Sequence, residues 1–280
     1  MQFFRLGPVG QEVPVLRHEQ QFFDLRTLTA DLDGAFWSSG GTQRAAQALA
    51  QGELHTLPGA AALRVGAPVA RPQAVLCIGL NYAAHAAESG MAAPQQPVLF
   101  FKHPNTVVGP NDLVAVPPGA TRMDWEVELA VVIGQRASYL PSPEAARAHI
   151  AGFCVANDLS EREFQLHRSG TQWGKGKSAP GFCPLGPMLV TPDEISPDRL
   201  SIRSWVNGEA RQDSSTADMI FSVDQIVHDL SQYLVLEPGD VILTGTPEGV
   251  AMSGRFPWLK AGDVVELEVD GLGRQRQVLG

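Results

Sequence analysis

Basic charge is scarce in this chain. Its 280 residues carry 21 Lys and Arg against 30 Asp and Glu, a formal net charge of -9. A duplex nucleic-acid binder needs a basic stripe, so no nucleic-acid partner is expected. Lysine is scarcer still, with four in all: Lys102, Lys175, Lys177 and Lys260. No unbroken apolar stretch approaches the ~18 residues of a membrane-spanning helix, so no membrane partner is expected. The opening Met1-Gln2-Phe3-Phe4-Arg5-Leu6-Gly7-Pro8 lacks the basic-then-apolar layout of a signal peptide. The three cysteines, Cys77, Cys154 and Cys183, are odd in number and show no metal-finger spacing. Internal repeats and low-complexity tracts are missing too. These absences predict a reduced, cytoplasmic, enzyme-sized protein.

Turn formers, by contrast, are abundant. With 28 glycines and 21 prolines, the composition favours a β-rich architecture over a helical bundle. The length suits one large domain, or a core domain with a small appendage. The break is expected near Gly66-Ala67-Pro68 and Arg71-Pro72, giving a small N-terminal domain over 1–67 and a catalytic domain over 68–280. The first part holds an alternating opening segment and an Ala/Gln-rich helical run from Thr42 to Gln51. In the second, Ala74–Ile78, Val98–Phe101, Glu126–Ile133, Val241–Thr244 and Val264–Val269 read as strands. Ser142 is expected to cap a short helix that has Pro143 at its first position. Irregularly spaced strands that outnumber helices predict a mixed, β-rich α+β fold, a sandwich or roll rather than a doubly wound sheet.

Four segments could carry chemistry. In Met123–Gly134, the residues Asp124, Glu126 and Glu128 share one face of a strand. Such a row is either solvated or holds a cation, yet the following Leu129–Ile133 is apolar throughout, as in a strand buried on both faces. Oxygen-only ligands suit a hard divalent cation, Mg²⁺ first and Mn²⁺ or Ca²⁺ next. Asp158, in Ala156-Asn157-Asp158-Leu159-Ser160, is by itself an ordinary turn or cap residue. In Gly79–Glu88, Asn81 can cap a short helix on which His85 and Glu88 lie three residues apart on one face. A His paired with a carboxylate can take a proton from water, although such pairs are more often structural. Finally, Trp173-Gly174-Lys175-Gly176-Lys177-Ser178 concentrates two of the four lysines where the phosphate-loop spacing fails. It is a solvated basic turn, or a cation placed to meet an anionic substrate.

Taken in order, these segments resemble the fumarylacetoacetate hydrolase family, in particular its short members acting on acylpyruvates and related 2,4-diketo acids. The resemblance runs from about Ala67 to Leu279. It also takes in Gly152–Gln165, Lys177–Pro187, Leu234–Asp240 and Leu243-Thr244-Gly245-Thr246-Pro247-Glu248-Gly249-Val250. No segment is decisive, but the ordered set is specific. It implies the family's β-sandwich roll behind a small N-terminal domain, commonly as a homodimer. It also implies a divalent metal on Glu126, Glu128 and Asp158, a water-activating pair of His85 and Glu88, and substrate contacts from Arg162, Gln165, Lys177 and Thr246. Ser160–Gln165, with Gly170–Trp173 and Gly176–Ser178, looks most like the branch that hydrolyses 2,4-diketo-3-deoxy-sugar acids. Relatives usually carry an acidic residue where Pro180 stands and a glycine where Ala251 stands; the first difference bears on the shape of the substrate pocket.

The function expected from this resemblance is metal-dependent C–C hydrolysis of a 2,4-diketo acid, a small 2-keto acid, to pyruvate and a carboxylic acid. His85 and Glu88 would activate water, and Lys177 would steady the enolate that leaves. The rivals are an oxaloacetate decarboxylase or muconate-type isomerase or decarboxylase with the same site, and a non-catalytic metal-binding scaffold.

Overall fold

Strands dominate the computed structural model, which describes residues 1–280. In chain order, β1 (Gln2–Leu6), β2 (Val13–His18) and β3 (Gln21–Asp24) form an antiparallel meander, and helix α1 (Gly41–Ala50) follows. Then come β4 (Val75–Gly79), the short helix α2 (Ala83–Glu88), β5 (Val98–Lys102), β6 (Val127–Ile133) and β7 (Ile150–Asn157). Helix α3 (Gly174–Lys177), β8 (Leu189–Val190), β9 (Ser201–Val206) and β10 (Glu209–Ser215) precede helix α4 (Val223–Tyr233). The chain closes with β11 (Val241–Leu243), β12 (Val264–Val269) and β13 (Gly273–Val278).

Two main sheets result. The larger runs β3-β2-β1-β8-β7-β6-β11-β4-β5, with Val65–Gly66 pairing β1 off this path. Its pairs are antiparallel except β11 with β4. The smaller is a four-stranded antiparallel sheet, β10-β9-β12-β13. The architecture is the expected β-rich α+β sandwich. Because β1 pairs with β8, the large sheet continues without a break from residues 1–67 into the rest of the chain.

Alternation along β6 explains why the large sheet lies at the centre. Val127, Leu129, Val131 and Ile133 enter one apolar cluster, while Ala130 and Val132 enter another on the opposite face. A strand covered on both sides has to be apolar at nearly every position, and β6 is wholly buried. The first cluster is closed by Ile202 of β9, by Val265, Leu267 and Val269 of β12, and by α4. Val223, Ile226, Val227 and Leu230 form the buried stripe of α4, and burial of each such side chain contributes about 1.5–3 kcal/mol. Ser222 and Gln225 form a reciprocal capping box at its start. Ala45 and Ala48 of α1 pack with Phe36 and Trp37 in the second cluster.

Most expected elements lie within a residue or two of their observed bounds. Ser142 is a correction: it precedes a 3-10 turn over Pro143–His149 and its side chain caps no backbone N–H. No helix is long and apolar enough to cross a membrane.

Gln212 of β10 stitches the small sheet to the large one. Its Oε1 accepts from the Val127 N–H and the Ser204 hydroxyl, and its amide nitrogen donates to Thr246 Oγ1 and the Pro247 carbonyl. Gln212→Leu would strand the buried Val127 N–H at the start of β6. A loss of about 2 kcal/mol, or roughly 4–8 °C in Tm, is expected by calorimetric unfolding; an unchanged Tm would show that the stitch contributes nothing.

Candidate active site

The site is built where β6 and β7 end. Glu126 precedes β6, Glu128 lies within it and Asp158 directly follows β7; all three are buried. Their nearest carboxylate oxygens lie within 4.8 Å of one another, and no other cluster of potential metal ligands is found. Asp124, which shares the strand-face parity, is not part of this cluster. Its oxygens accept from Arg162 Nε at 2.9 Å and from the N–H groups of Ala251 and Met252. The row is neither solvated nor a uniform ligand set: Asp124 holds an arginine, and the next two carboxylates face the pocket.

Three cations answer these carboxylates. Lys177 Nζ lies 2.7 Å from both Glu126 Oε2 and Asp158 Oδ2, and Arg162 Nη2 bonds Glu126 Oε1. Lys102, fully buried, bonds Asp158 Oδ1 and the Leu159 carbonyl. Burial alone would raise the Glu126 carboxyl, but Lys177 and Arg162 outweigh it and hold it well below the carboxylate range. Burial would likewise lower the Lys177 ammonium, yet Asp158 and Glu126 keep it raised. Glu128 has no cationic side chain of its own. Burial first, and then repulsion from Asp158 and Glu126, push its carboxyl well above the usual range.

That asymmetry tests whether a metal fits. Four buried carboxylates face three cations, and Glu128 Oε2 is met only by the Gly245 N–H at 2.6 Å. Its other oxygen has no protein donor. A hard divalent cation accepting oxygen from Glu126, Glu128 and Asp158 would satisfy this excess negative charge, and the donor set suits Mg²⁺, Mn²⁺ or Ca²⁺.

Beside the carboxylates stands the expected pair. His85 Nδ1 lies 3.0 Å from Glu88 Oε1. Glu88 also accepts from the Gly249 N–H and from Arg255 Nη2 at 2.7 Å. Burial would raise its carboxyl, but His85, the Gly249 N–H and Arg255 together keep it lowered, hence ionised. A carboxylate at Nδ1 draws the ring proton there and leaves Nε2 as the acceptor on the pocket side. Asn81 does not cap α2, whose N-terminal cap position is Tyr82. Its amide instead ties the Phe221 backbone to the Thr244 carbonyl, pinning the entry of α2 to the end of β11.

The loop after β11 serves both halves of the site. Thr244 bonds the Leu129 carbonyl, Gly245 donates to Glu128, Thr246 donates to the Val127 carbonyl, and Gly249 donates to Glu88. Gly245 has φ +97, and a Cβ there would lie 2.8 Å from the Asn81 side chain, so only glycine fits. Thr246 lines the pocket, with its hydroxyl held between Val127 and Gln212.

Gly176, beside Lys177, serves close packing. A Cβ on Gly176 would lie 2.4 Å from the Gln165 backbone nitrogen, so the residue lets α3 press onto the Phe164–Arg168 turn. This close packing carries Lys177 inward, whereas Lys175 stays exposed. Gln165 accepts from Arg162 Nη1 at 2.9 Å and faces the same pocket. Pro180 is exposed and does not line the pocket, so the departure there leaves its walls unchanged. Sequence reasoning missed Lys102, whose one signal was a lysine closing the apolar strand Val98–Phe101. One open pocket brings together His85, Glu126, Glu128, Arg162, Gln165 and Lys177.

Calorimetric titration with Mn²⁺ or Mg²⁺ is expected to show at least tenfold weaker binding in Glu126→Gln and Asp158→Asn than in the wild type. Wild-type affinity in both variants would place the cation elsewhere.

Residues 74–279 match the family model for the fumarylacetoacetate (FAA) hydrolase C-terminal domain. A mitochondrial oxaloacetate tautomerase of Bos taurus is 47% identical over 209 residues, covering 74% of this chain and 66% of its own length. The fumarylacetoacetate hydrolase of Exiguobacterium antarcticum superposes with a TM-score of 0.86 at 32% identity, covering 100% of this chain and 99% of that one. A maleylpyruvate hydrolase of Sphingobium, solved with manganese(II) and pyruvate, gives a TM-score of 0.80 at 26% identity over 100% of both chains. With three quarters of its length matching the family model and its fold shared throughout with solved members, this chain belongs to the fumarylacetoacetate hydrolase family of enzymes.

Proposed function

We propose that the protein is a divalent-metal-dependent hydrolase that cleaves the C3–C4 bond of a 2,4-diketo acid, releasing pyruvate and a carboxylic acid. The observation that carries this reading is the placement of the His85 imidazole, oriented by ionised Glu88, in the pocket that also exposes Glu126, Glu128 and Lys177. A maleylpyruvate hydrolase of the same fold holding manganese and pyruvate supports it. When bound by Glu126, Glu128 and Asp158, Mg²⁺, or Mn²⁺ in its place, would supply Lewis-acid polarisation of the substrate's carboxylate and 2-oxo oxygens.

The chain's own groups account for the proton transfers. His85 Nε2 takes a proton from water, and Glu88 stabilises the imidazolium that forms. The hydroxide adds to C4. The C3–C4 bond then breaks, its electron pair passing into the pyruvate enolate while C4 leaves as the carboxylic acid. The imidazolium returns its proton to C3. Lys177, a compact ammonium already held in the cluster by two carboxylates, would stabilise the oxygen on which negative charge develops.

The identity to an oxaloacetate tautomerase favours a second reading, enol–keto interconversion of a 2-oxo dicarboxylate. That reaction, like decarboxylation or muconate-type isomerisation, would use the same carboxylates and cations and needs no attacking water. Turnover in ¹⁸O-labelled water separates them, because only hydrolysis places the label in the released carboxylic acid. Proton exchange without C–C cleavage would favour the tautomerase.

Two substitutions test the roles. His85→Ala should lower kcat for C–C cleavage at least ~10²-fold while pyruvate binding in the presence of metal persists; activity within a few-fold of the wild type would place the base elsewhere. Lys177→Met should lower kcat, and kcat/KM with it, by ~10²-fold or more, because its contact strengthens as charge develops. A raised KM with wild-type kcat would reduce Lys177 to a substrate anchor.

A further inference from the structure

We propose that the pocket selects substrates whose substituent beyond the reacting carbonyls is an uncharged alkyl or aryl group, and rejects those ending in a carboxylate or a polyol. The proposal rests on the reading above for the polar end of the substrate and adds what the other end accepts. It comes from the contrast between the polar and the apolar residues that line the cavity.

The cations of the polar lining are committed. Arg162 and Lys177 are the only cationic side chains lining the cavity. Arg162 is bonded to Asp124, Glu126 and Gln165, and Lys177 to Glu126 and Asp158. Neither is free to meet a second carboxylate on the substrate. The nearby Arg255 is turned onto Glu88 and does not line the cavity, and Lys175 does not line it either. The Thr246 hydroxyl is held by Val127 and Gln212, which leaves the Gln165 amide nitrogen as the neutral side-chain donor without a partner.

The other lining side chains are apolar, and Phe100 among them lies against the Lys177 ammonium, 5.1 Å from ring centroid to Nζ. They include Leu80, Met91, Phe100, Leu166, Trp173 and Met252, drawn from separate segments of the chain. Trp173 meets Phe100 edge to face, with ring centroids 5.6 Å apart, and Gly79 makes room for the indole: a Cβ there would lie 2.7 Å from it. Leu80 holds φ +58, a left-handed conformation that a bulky residue rarely adopts, and so brings an isobutyl group to the pocket edge. A carboxylate or a run of hydroxyls against these side chains would lose water and find no partner, whereas methylene or ring carbons would gain by burial.

The experiment compares kcat/KM, with Mg²⁺ present, for 2,4-dioxo acids whose acyl substituent is methyl, butyl, phenyl, or butyl ending in a carboxylate or bearing hydroxyls. Butyl and phenyl are expected to exceed methyl at least tenfold, and the charged and hydroxylated chains to fall at least tenfold below butyl. Trp173→Ala should collapse the butyl-to-methyl ratio. Met91→Lys, at an exposed position on the rim, should raise the carboxylate-ended substrate relative to butyl at least fivefold. Equal or better turnover of the carboxylate-ended or hydroxylated substrate by the wild type would overturn the proposal and leave the hydrolase reading standing. The same substituents are also compared on non-cleavable 2-oxo acids by calorimetry. If these bind in the expected order while no dioxo acid is cleaved, the hydrolase reading fails and the selectivity stands; no binding by any of them overturns both.

Discussion

Four carboxylates, Asp124, Glu126, Glu128 and Asp158, lie out of water at one end of the large sheet, and their mutual repulsion is the constraint the surrounding structure answers. Ionised groups are costly to bury unless each meets a cation or several donors. Lys102 comes from β5, Arg162 and Lys177 from the segment after β7, and the donating backbone of Gly245, Ala251 and Met252 from the segment after β11. Chain regions far apart in sequence are thereby drawn to one point. Compensation is complete for Asp124, Glu126 and Asp158 but stops short at Glu128. The carboxyl that the protein leaves without a cation opens on the pocket beside Glu126, and a divalent cation would complete the set.

Rigidity reaches this point through the central strands. β6 is buried on both faces and paired on both edges, by β7 and β11, so the glutamates at its start inherit a fixed direction. Past Leu243 the ladder is continued by other donors: Thr244 and Thr246 bond the Leu129 and Val127 carbonyls, and the glycines between and after them turn their N–H groups onto Glu128 and Glu88. One loop therefore positions a candidate metal ligand and the partner of the candidate base. α2 is only six residues long and would be marginal alone. It is held at its entry by Asn81 and at its exit by the bonds of Glu88 to Gly249 and Arg255.

Periodicity and turn chemistry were sufficient for much of this in the sequence itself. The apolar run Leu129–Ile133 specified a strand covered on both faces, and the alternation of Val264–Val269 specified one covered on a single face; both are seen. The spacing of His85 and Glu88 was enough to pair them, because three residues along a helix is a contact distance. Glu126 and Glu128 share a face for the equally local reason that strands repeat every two residues.

Contacts without a local period had to wait for the fold. Asp124 has the same parity as Glu126 and Glu128, and only the arrival of Arg162 and of the Ala251–Met252 backbone turns it away from the cluster. Lys175 and Lys177 are two residues apart in one tetrapeptide, yet the packing of Gly176 on Gln165 buries one and leaves the other in solvent. Lys102 carries no motif at all; its burial against Asp158 depends on the end of edge strand β5 reaching the residue that follows β7, a contact between distant segments. Asn81 reads as a helix cap from its neighbours and acts instead as a tie between loops. The sequence by itself determined the strands, the pair on α2 and the two glutamates, since each follows from a repeat of two or 3.6 residues. The tertiary structure decided which charges neutralise which, because electrostatic partners in a dry interior are set by distance in space and by burial, and neither is written in the spacing along the chain.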